Sequence, residues 1–178
     1  MTPRFGLSAL HRRALCSLYA RAAPWGNRGP IVSFTFDDFP RTAFIVGGAI
    51  LKNLGVRGTY YSASGLMGTA NELGEQFCSE DSHSLPQDGH ELASHTFSHI
   101  SSRTVSCSKY TNDVDLGRKA REEIAGVADC GNFAYPFGHV TLMTKKTLGP
   151  RMISSRGTFP GLNGPEVDLN LLQANSLY

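Results

Sequence analysis

The chain has 178 residues, of which 40% are hydrophobic and 18% are charged, and its formal net charge at pH 7 is +2. This length suits one domain with a sizeable core. It is short for a closed eight-fold β/α barrel, which typically needs about 250 residues. The apolar content excludes a disordered chain, and no stretch approaches the roughly 20 apolar residues of a membrane span. The small net charge gives no reason to expect a nucleic-acid partner.

The first thirty residues differ in charge from the rest of the chain. No acidic residue precedes Asp37, whereas five arginines do: Arg4, Arg12, Arg13, Arg21 and Arg28. Apolar side chains at four-residue spacing predict a basic helix over residues 7–22, which the proline- and glycine-rich residues 24–30 end. The sequence thus predicts a basic helix and linker over residues 1–30 and a domain over residues 31–178. A solvated helix, contact with an anionic surface and an organelle transit peptide all fit the first segment.

Targeting signals and cysteines give little further information about the compartment. No apolar segment follows the arginines, so a secretory signal is not indicated and the cytoplasm is favoured. The four cysteines, at positions 16, 78, 107 and 130, are widely spaced and include no C-x-x-C pair. This pattern argues against a disulfide scaffold and against a cysteine-based zinc site, so we expect free thiols.

The chain after residue 30 alternates strands with helices. Predicted strands lie at residues 31–36, 58–62, 91–95, 132–136 and 152–158. Predicted helices lie at residues 42–54, 71–78, 112–127, 141–148 and 168–174, and a polar loop is predicted at residues 79–88. Such alternation indicates an α/β fold with a mainly parallel sheet, in which functional groups gather at the carboxyl ends of the strands.

Two adjacent acids, Asp37 and Asp38, end the first of these strands. Acids are depleted from strands and neighbouring carboxylates repel, so this pair requires a cation or a shared proton. Side chains of a strand alternate between its faces, so both acids reach one site only if the strand stops there, as Phe39 and Pro40 indicate. The alternative is that Asp38 caps the helix that begins near Thr42, with Asp37 solvated.

Two histidines, His95 and His99, follow the third predicted strand. Histidines four residues apart can bind one ion if the segment turns helically, and a neutral imidazole is available near pH 7. With an aspartate from another strand end, three ligands leave one metal position open, which is typical of catalytic zinc sites. The alternative is two unrelated polar histidines.

Three segments in this order resemble the motifs of the polysaccharide deacetylases, the NodB-homology family (carbohydrate esterase family 4): residues 35–38 (TFDD), 89–99 (GHELASHTFSH) and 133–138 (FAYPFG). The resemblance implies a distorted, incomplete (β/α) barrel with mainly parallel strands. It also implies that Asp38, His95 and His99 hold zinc or another divalent metal and that Asp37 is the general base.

The third motif matches the family at some positions and departs from it at another. The resemblance implies that the Phe137 N–H helps to hold an oxyanion and that Pro136 and Phe137 contact the substrate. The family's base-orienting arginine is replaced by Ala134, and Arg156 is the candidate to substitute for it, unless it is a surface arginine.

A second departure concerns the proton donor. The family's last motif carries a histidine, often the general acid, but no histidine follows His139 here. We therefore expect a C-terminally truncated domain. His139 is a candidate contact to the substrate, or the acid itself, unless it is a solvated loop residue.

The chemistry implied by the resemblance is metal-dependent hydrolysis of an N-acetyl group on an oligo- or polysaccharide, which releases acetate. The alternative is a catalytically impaired relative that binds metal or sugar without turnover. Two histidines and a carboxylate also suit non-haem Fe(II) oxygenases, in which Asp37 has no evident role. An amide hydrolase of the same fold acting on peptidoglycan or a small cyclic amide also stays open.

Overall fold

A computed structural model describes residues 14–26 and 29–177. Five parallel strands form a curled half-barrel sheet in the order β2-β3-β6-β7-β8, which confirms the predicted α/β fold. The strands are β1 (Ala22–Pro24), β2 (Phe34–Asp37), β3 (Gly58–Ser62), β4 (Ala70–Asn71), β5 (Gly74–Glu75), β6 (Glu91–Ser94), β7 (Asn132–Ala134), β8 (Ser154–Arg156) and β9 (Glu166–Asp168). The helices are a π-helical segment (Ala43–Gly48), α1 (Ala49–Asn53), α2 (Ser79–Gln87), α3 (Cys107–Ala125) and α4 (Leu142–Leu148).

The two faces of the parallel sheet carry different side chains, because successive residues of a strand point to opposite faces. On the outer face, Tyr60 and Phe133 are fully buried in the clusters formed with the helices. Burying a phenylalanine contributes roughly 1.5–3 kcal/mol to stability. The outer face, which buries the larger aromatic side chains, therefore holds the main core. On the inner face, Tyr61, Ala93 and Ala134 form a smaller cluster. The functional side chains described below lie on this inner face and at its edge.

Most predicted elements occur within a few residues of their expected positions. β3 spans the predicted residues 58–62. α3 begins at Cys107 rather than at residue 112, because the Ser106 side chain accepts a hydrogen bond from the Lys109 N–H and caps the helix. All four cysteines are free thiols, as predicted. Within the described ranges, no helix is long and apolar enough to cross a membrane.

The helix predicted over residues 71–78 is wrong. β4 and β5 form an antiparallel hairpin there, with Gly74 at φ +97° in the turn. The Asn71 side chain accepts a hydrogen bond from the Leu73 N–H at 2.8 Å, an asparagine turn that competes with helix formation.

The polar loop predicted over residues 79–88 is also wrong, because this segment forms α2. The Asp81 carboxylate accepts a hydrogen bond from the Cys78 N–H at 3.0 Å and so stabilises the helix start. Leu85 is fully buried against the outer face of the sheet. One capping contact and one buried side chain thus outweigh the polar composition of the segment.

The helix predicted over residues 168–174 is wrong, because a turn at residues 169–170 and a bridge from Leu172 to β8 occupy this segment. β9 ends at Asp168, and the following residues run along the edge of β8. The Ser155 N–H donates to the Leu169 carbonyl at 2.7 Å, and the Leu172 N–H donates to the Ser155 carbonyl at 2.8 Å. Backbone pairing with β8 therefore decides the conformation of this segment.

The described part of the N-terminal segment packs onto the domain. Residues 14–17 are helical, but the predicted helix stops before Ala22, because β1 pairs with β9. Leu15 is fully buried, and its carbonyl accepts a hydrogen bond from the buried Lys145 ammonium at 2.6 Å. Residues 7–13 of the predicted helix lie outside the described residues, and the domain boundary at residue 30 stays a prediction.

Candidate active site

The candidate site lies where the sequence places it, at the carboxyl ends of the parallel strands. Asp37 is the last residue of β2, and Asp38 follows it. His95 follows β6, and the FAYPFG segment continues from β7. Because these strands belong to one parallel sheet, their carboxyl ends lie along the same edge.

Asp38, His95 and His99 converge at this edge. Oδ1 of Asp38 lies 2.9 Å from Nε2 of His99 and 3.4 Å from Nε2 of His95. One ligand atom from each residue lies within 4.8 Å of the others. Asp38 does not cap a helix, since the next helical segment has Thr42 at its N-cap. The capping alternative and the alternative of two unrelated histidines are therefore both wrong.

The backbone reaches this arrangement through left-handed conformations. Asp38 has φ +62° and Phe39 has φ +58°, which turns the chain sharply and lets both adjacent acids face the site. The histidine segment does not form the helical turn considered above, and instead Thr96 (φ +67°) and His99 (φ +52°) bend it. Each such non-glycine residue costs about 1–3 kcal/mol, so the surrounding contacts must hold the conformation.

The donor atoms of the three residues fit a divalent cation. His95 is buried, and its Nδ1 lies 2.8 Å from the Ala134 carbonyl, so Nδ1 donates to that carbonyl and Nε2 is the nitrogen directed towards Asp38. Oδ1 of Asp38 is buried and has no hydrogen-bond partner of good geometry among the described residues. Two imidazole nitrogens and one carboxylate oxygen are a donor set that zinc accepts.

The electrostatics of Asp38 favour its charged form. Burial alone raises the pKa of this carboxyl, but the contacts and charges of His95 and His99 outweigh burial and hold the pKa below its usual range. A carboxylate that keeps its charge in a partly buried position suits a cation ligand.

Asp37 faces a different partner on the inner face of the sheet. Its carboxylate pairs with the Arg156 guanidinium, which is 7% exposed, so the surface alternative for Arg156 is wrong. Arg156 on β8 is the register partner of Ala134 on β7. The structure thus places an arginine beside the position where the resemblance leads us to expect one.

Tyr61 completes this part of the site. The Arg156 guanidinium lies over the Tyr61 ring, 4.4 Å from its centroid, in a cation–π contact. Burial raises the pKa of Tyr61 to about 12, although the Arg156 charge opposes the shift. Tyr61 is the register partner of Asp37, so sheet pairing fixes all three side chains relative to one another.

Phe137 and His139 lie at the rim of the site. Phe137 is 58% exposed at φ +59°, and its ring centroid lies 4.4 Å from that of His99 and 5.5 Å from that of His139. Nδ1 of His139 lies 2.8 Å from the Ser101 hydroxyl. Burial, and then the charge of Arg103, lower the pKa of His139. The neighbouring Pro136 is buried.

Comparison with known proteins identifies the family. A family model described as polysaccharide deacetylase matches residues 26–149. The chain belongs to the polysaccharide deacetylase family. Membership of this family supports deacetylation of a carbohydrate as the class of activity. No curated protein sequence matches the chain at a significant level.

Several solved structures share the fold. IcaB from Ammonifex degensii superposes with a TM-score of 0.75 at 20% identity, over 85% of this chain and 69% of its own. The deacetylase PplD from Streptococcus pyogenes, in complex with acetate, gives 0.72 at 21% identity over 95% and 72%. A family 4 acetyl xylan esterase from Clostridium thermocellum, in complex with a cobalt ion, gives 0.57 at 15% over 75% and 60%.

One residue at the candidate site was not predicted from the sequence. Asp113 lies in the first half of α3, and its carboxylate accepts hydrogen bonds from the Phe97 and Ser98 N–H groups, each at 2.9 Å. An aspartate on a charged helix gives no signal in the sequence, since such residues usually face solvent. Its contact with the histidine segment depends on how α3 packs against that segment, which the sequence does not show.

Proposed function

We propose that this chain hydrolyses N-acetyl groups on an oligo- or polysaccharide with the help of a bound divalent cation. The observation that carries the proposal is the convergence of Asp38, His95 and His99 beside the ion pair of Asp37 and Arg156. Family membership supports the carbohydrate substrate class. The cobalt ion and the acetate in two structurally similar proteins support the cation and the released product.

Asp38, His95 and His99 would hold the cation, with zinc the first choice for two nitrogens and one oxygen. When bound, the cation supplies a Lewis acid that polarises the acetyl carbonyl and makes water more acidic. The hydrogen bond between His95 Nδ1 and the Ala134 carbonyl keeps Nε2 available as a ligand.

Asp37 would act as the general base. It takes a proton from water as the water oxygen bonds to the acetyl carbon, and Arg156 holds the carboxylate in the required orientation. The Phe137 N–H would donate to the resulting oxyanion. The C–N bond then breaks and the nitrogen gains a proton, which balances the one that Asp37 removed. The products are acetate and a free amino sugar.

Phe137 and His139 would contact the substrate at the rim, whereas the neighbouring Pro136 is buried. The exposed Phe137 ring offers an apolar face for a sugar, and His139 offers a polar group beside it. The described residues thus provide ligands, a base and a substrate contact along one edge of the sheet.

The test is acetate release from N-acetylglucosamine oligomers by the purified chain, before and after removal of metal with a chelator and reloading with zinc. The proposal expects acetate release that the chelator abolishes and zinc restores. Acetate release that continues without metal would contradict the metal-dependent mechanism.

A second candidate function is binding of metal or sugar without turnover. Metal bound in a 1:1 ratio without acetate release would select this candidate.

A further inference from the structure

We propose that Asp113 is a positioning residue that holds the loop of residues 96–99 so that His99 can share a cation with Asp38 and His95. The inference rests on the proposed metal site and adds to it a residue that lies on α3, outside the three motifs.

The Asp113 carboxylate makes three hydrogen bonds to the loop. Oδ2 accepts from the Phe97 N–H and the Ser98 N–H, and Oδ1 accepts from the Ser98 hydroxyl, all at 2.9 Å. Hydrogen bonds to an ionised acceptor are roughly twice as strong as neutral ones. One carboxylate therefore satisfies both backbone donors that immediately precede His99.

A glycine one turn further along α3 allows this contact. A Cβ atom at Gly117 would lie 2.6 Å from the Thr96 carbonyl oxygen, which is closer than real Cβ contacts. Any larger residue at position 117 would push the helix away from the loop. Gly117 thus sets the close approach that brings the Asp113 carboxylate within hydrogen-bond distance.

The loop is held on its other side by the 3₁₀ turn of residues 64–66. The Gly65 N–H donates to the Phe97 carbonyl at 2.9 Å, and the Ser64 hydroxyl donates to the Gly117 carbonyl at 3.3 Å. The turn, the loop and α3 are therefore connected by hydrogen bonds. Among the hydrogen bonds of the described residues, Asp113 supplies the only charged group that binds the loop backbone.

The loop needs this support because its backbone is unfavourable. Thr96 and His99 both have positive φ, a region that side-chain-bearing residues rarely adopt. Without Asp113, the peptides of Phe97 and Ser98 lose their acceptor, and the loop can relax towards ordinary conformations. His99 Nε2 would then move from its position 2.9 Å from Asp38, while His95, which directly follows β6, stays in place.

The experiment measures the zinc affinity of the full chain by competition with a chromophoric chelator, for the wild type and for Asp113→Ala. Loss of an outer partner of a metal ligand typically weakens binding about 10–100-fold, and we expect a loss in this range. The visible spectrum of the cobalt-loaded variant should also change, since the position of one imidazole changes. The melting temperature of the metal-free protein reports whether the variant folds.

Two further variants keep the inference falsifiable. Asp115→Ala removes an aspartate of the same helix that pairs with Arg151, and it should leave zinc affinity unchanged. Ser98→Ala removes a single hydrogen bond and should weaken zinc binding, although less than Asp113→Ala does. If Asp113→Ala fails to fold, Ser98→Ala still tests the inference.

The outcomes separate the inference from the proposed function. Wild-type affinity in both Asp113→Ala and Ser98→Ala would overturn the role of Asp113 and leave the metal site standing. A wild-type chain that folds but binds no divalent cation would overturn the metal site and, with it, this inference.

Discussion

Asp37 and Asp38 are neighbours in the chain, but the structure holds them in two different ways. Asp37 ends a regular strand, and its contacts with Arg156 and Tyr61 follow from the register of the parallel sheet. Asp38 lies in a left-handed turn, and its partner His99 lies in a strained loop. The proposed base is thus positioned by strand pairing, whereas the proposed metal ligands Asp38 and His99 depend on contacts from outside the sheet. Substitutions on the two sides should therefore affect different measurements.

The largest effect is expected for Asp38→Ala, which leaves two of three ligands. We expect tight zinc binding to disappear, a larger loss than the about 10–100-fold that removal of an outer partner causes. The metal content of the purified variant, measured by atomic absorption, checks this expectation. Unchanged metal content would exclude Asp38 as a ligand.

Asp37→Asn should separate the base from the metal side. This variant should keep its metal, because Asp37 is not one of the converging ligands, and it should lose about 10²–10⁴-fold in acetate release, the usual contribution of a general base. Turnover close to that of the wild type would remove Asp37 from the role of base.

Arg156→Ala tests whether strand register positions the base. Misplacement of a catalytic group by about 1 Å can cost about 10²-fold, and we expect a fall of this size in kcat with metal content and KM little changed. Adding Ala134→Arg should restore part of the activity, because residues 134 and 156 are register partners on the same face. A change in KM without a fall in kcat would contradict this positioning role. So would a double variant that recovers no activity.

The smallest effect is expected at alkaline pH. Burial raises the pKa of Tyr61 from 10 to about 12, so the unfolded chain releases this proton at a lower pH than the folded one. The associated stability is complete below pH 10 and is lost as the pH rises through about 12. We expect the melting temperature to fall over this range, and Tyr61→Phe to reduce the fall. Tyr19→Phe, at an exposed position, is the matched control and should not reduce it.

The sequence predicted the location of the site because that location depends on strand ends. A run of β-branched and aromatic residues identified β2, and the acids after it had to lie at the edge of a parallel sheet. The same reasoning placed His95 beside them. It could not predict that His99 returns to the site through left-handed residues rather than a helical turn, because that path is imposed by α3 through Asp113.

Two of the failed predictions in the fold share a physical reason. α2 depends on a cap between Asp81 and the Cys78 N–H, and residues 169–172 depend on pairing with a strand that lies earlier in the chain. Apolar periodicity carries no information about either contact. The predicted substitution of Arg156 for the missing arginine followed from the resemblance to the family, and the register of β7 and β8 supplies its geometry.

The proposed function is best tested by measuring zinc stoichiometry and acetate release on one preparation of the wild-type chain, with N-acetylglucosamine oligomers as substrate. We expect one zinc per chain and acetate release that follows zinc occupancy during a titration. A folded chain that binds no zinc or other divalent cation, or that releases acetate independently of occupancy, would exclude metal-dependent deacetylation.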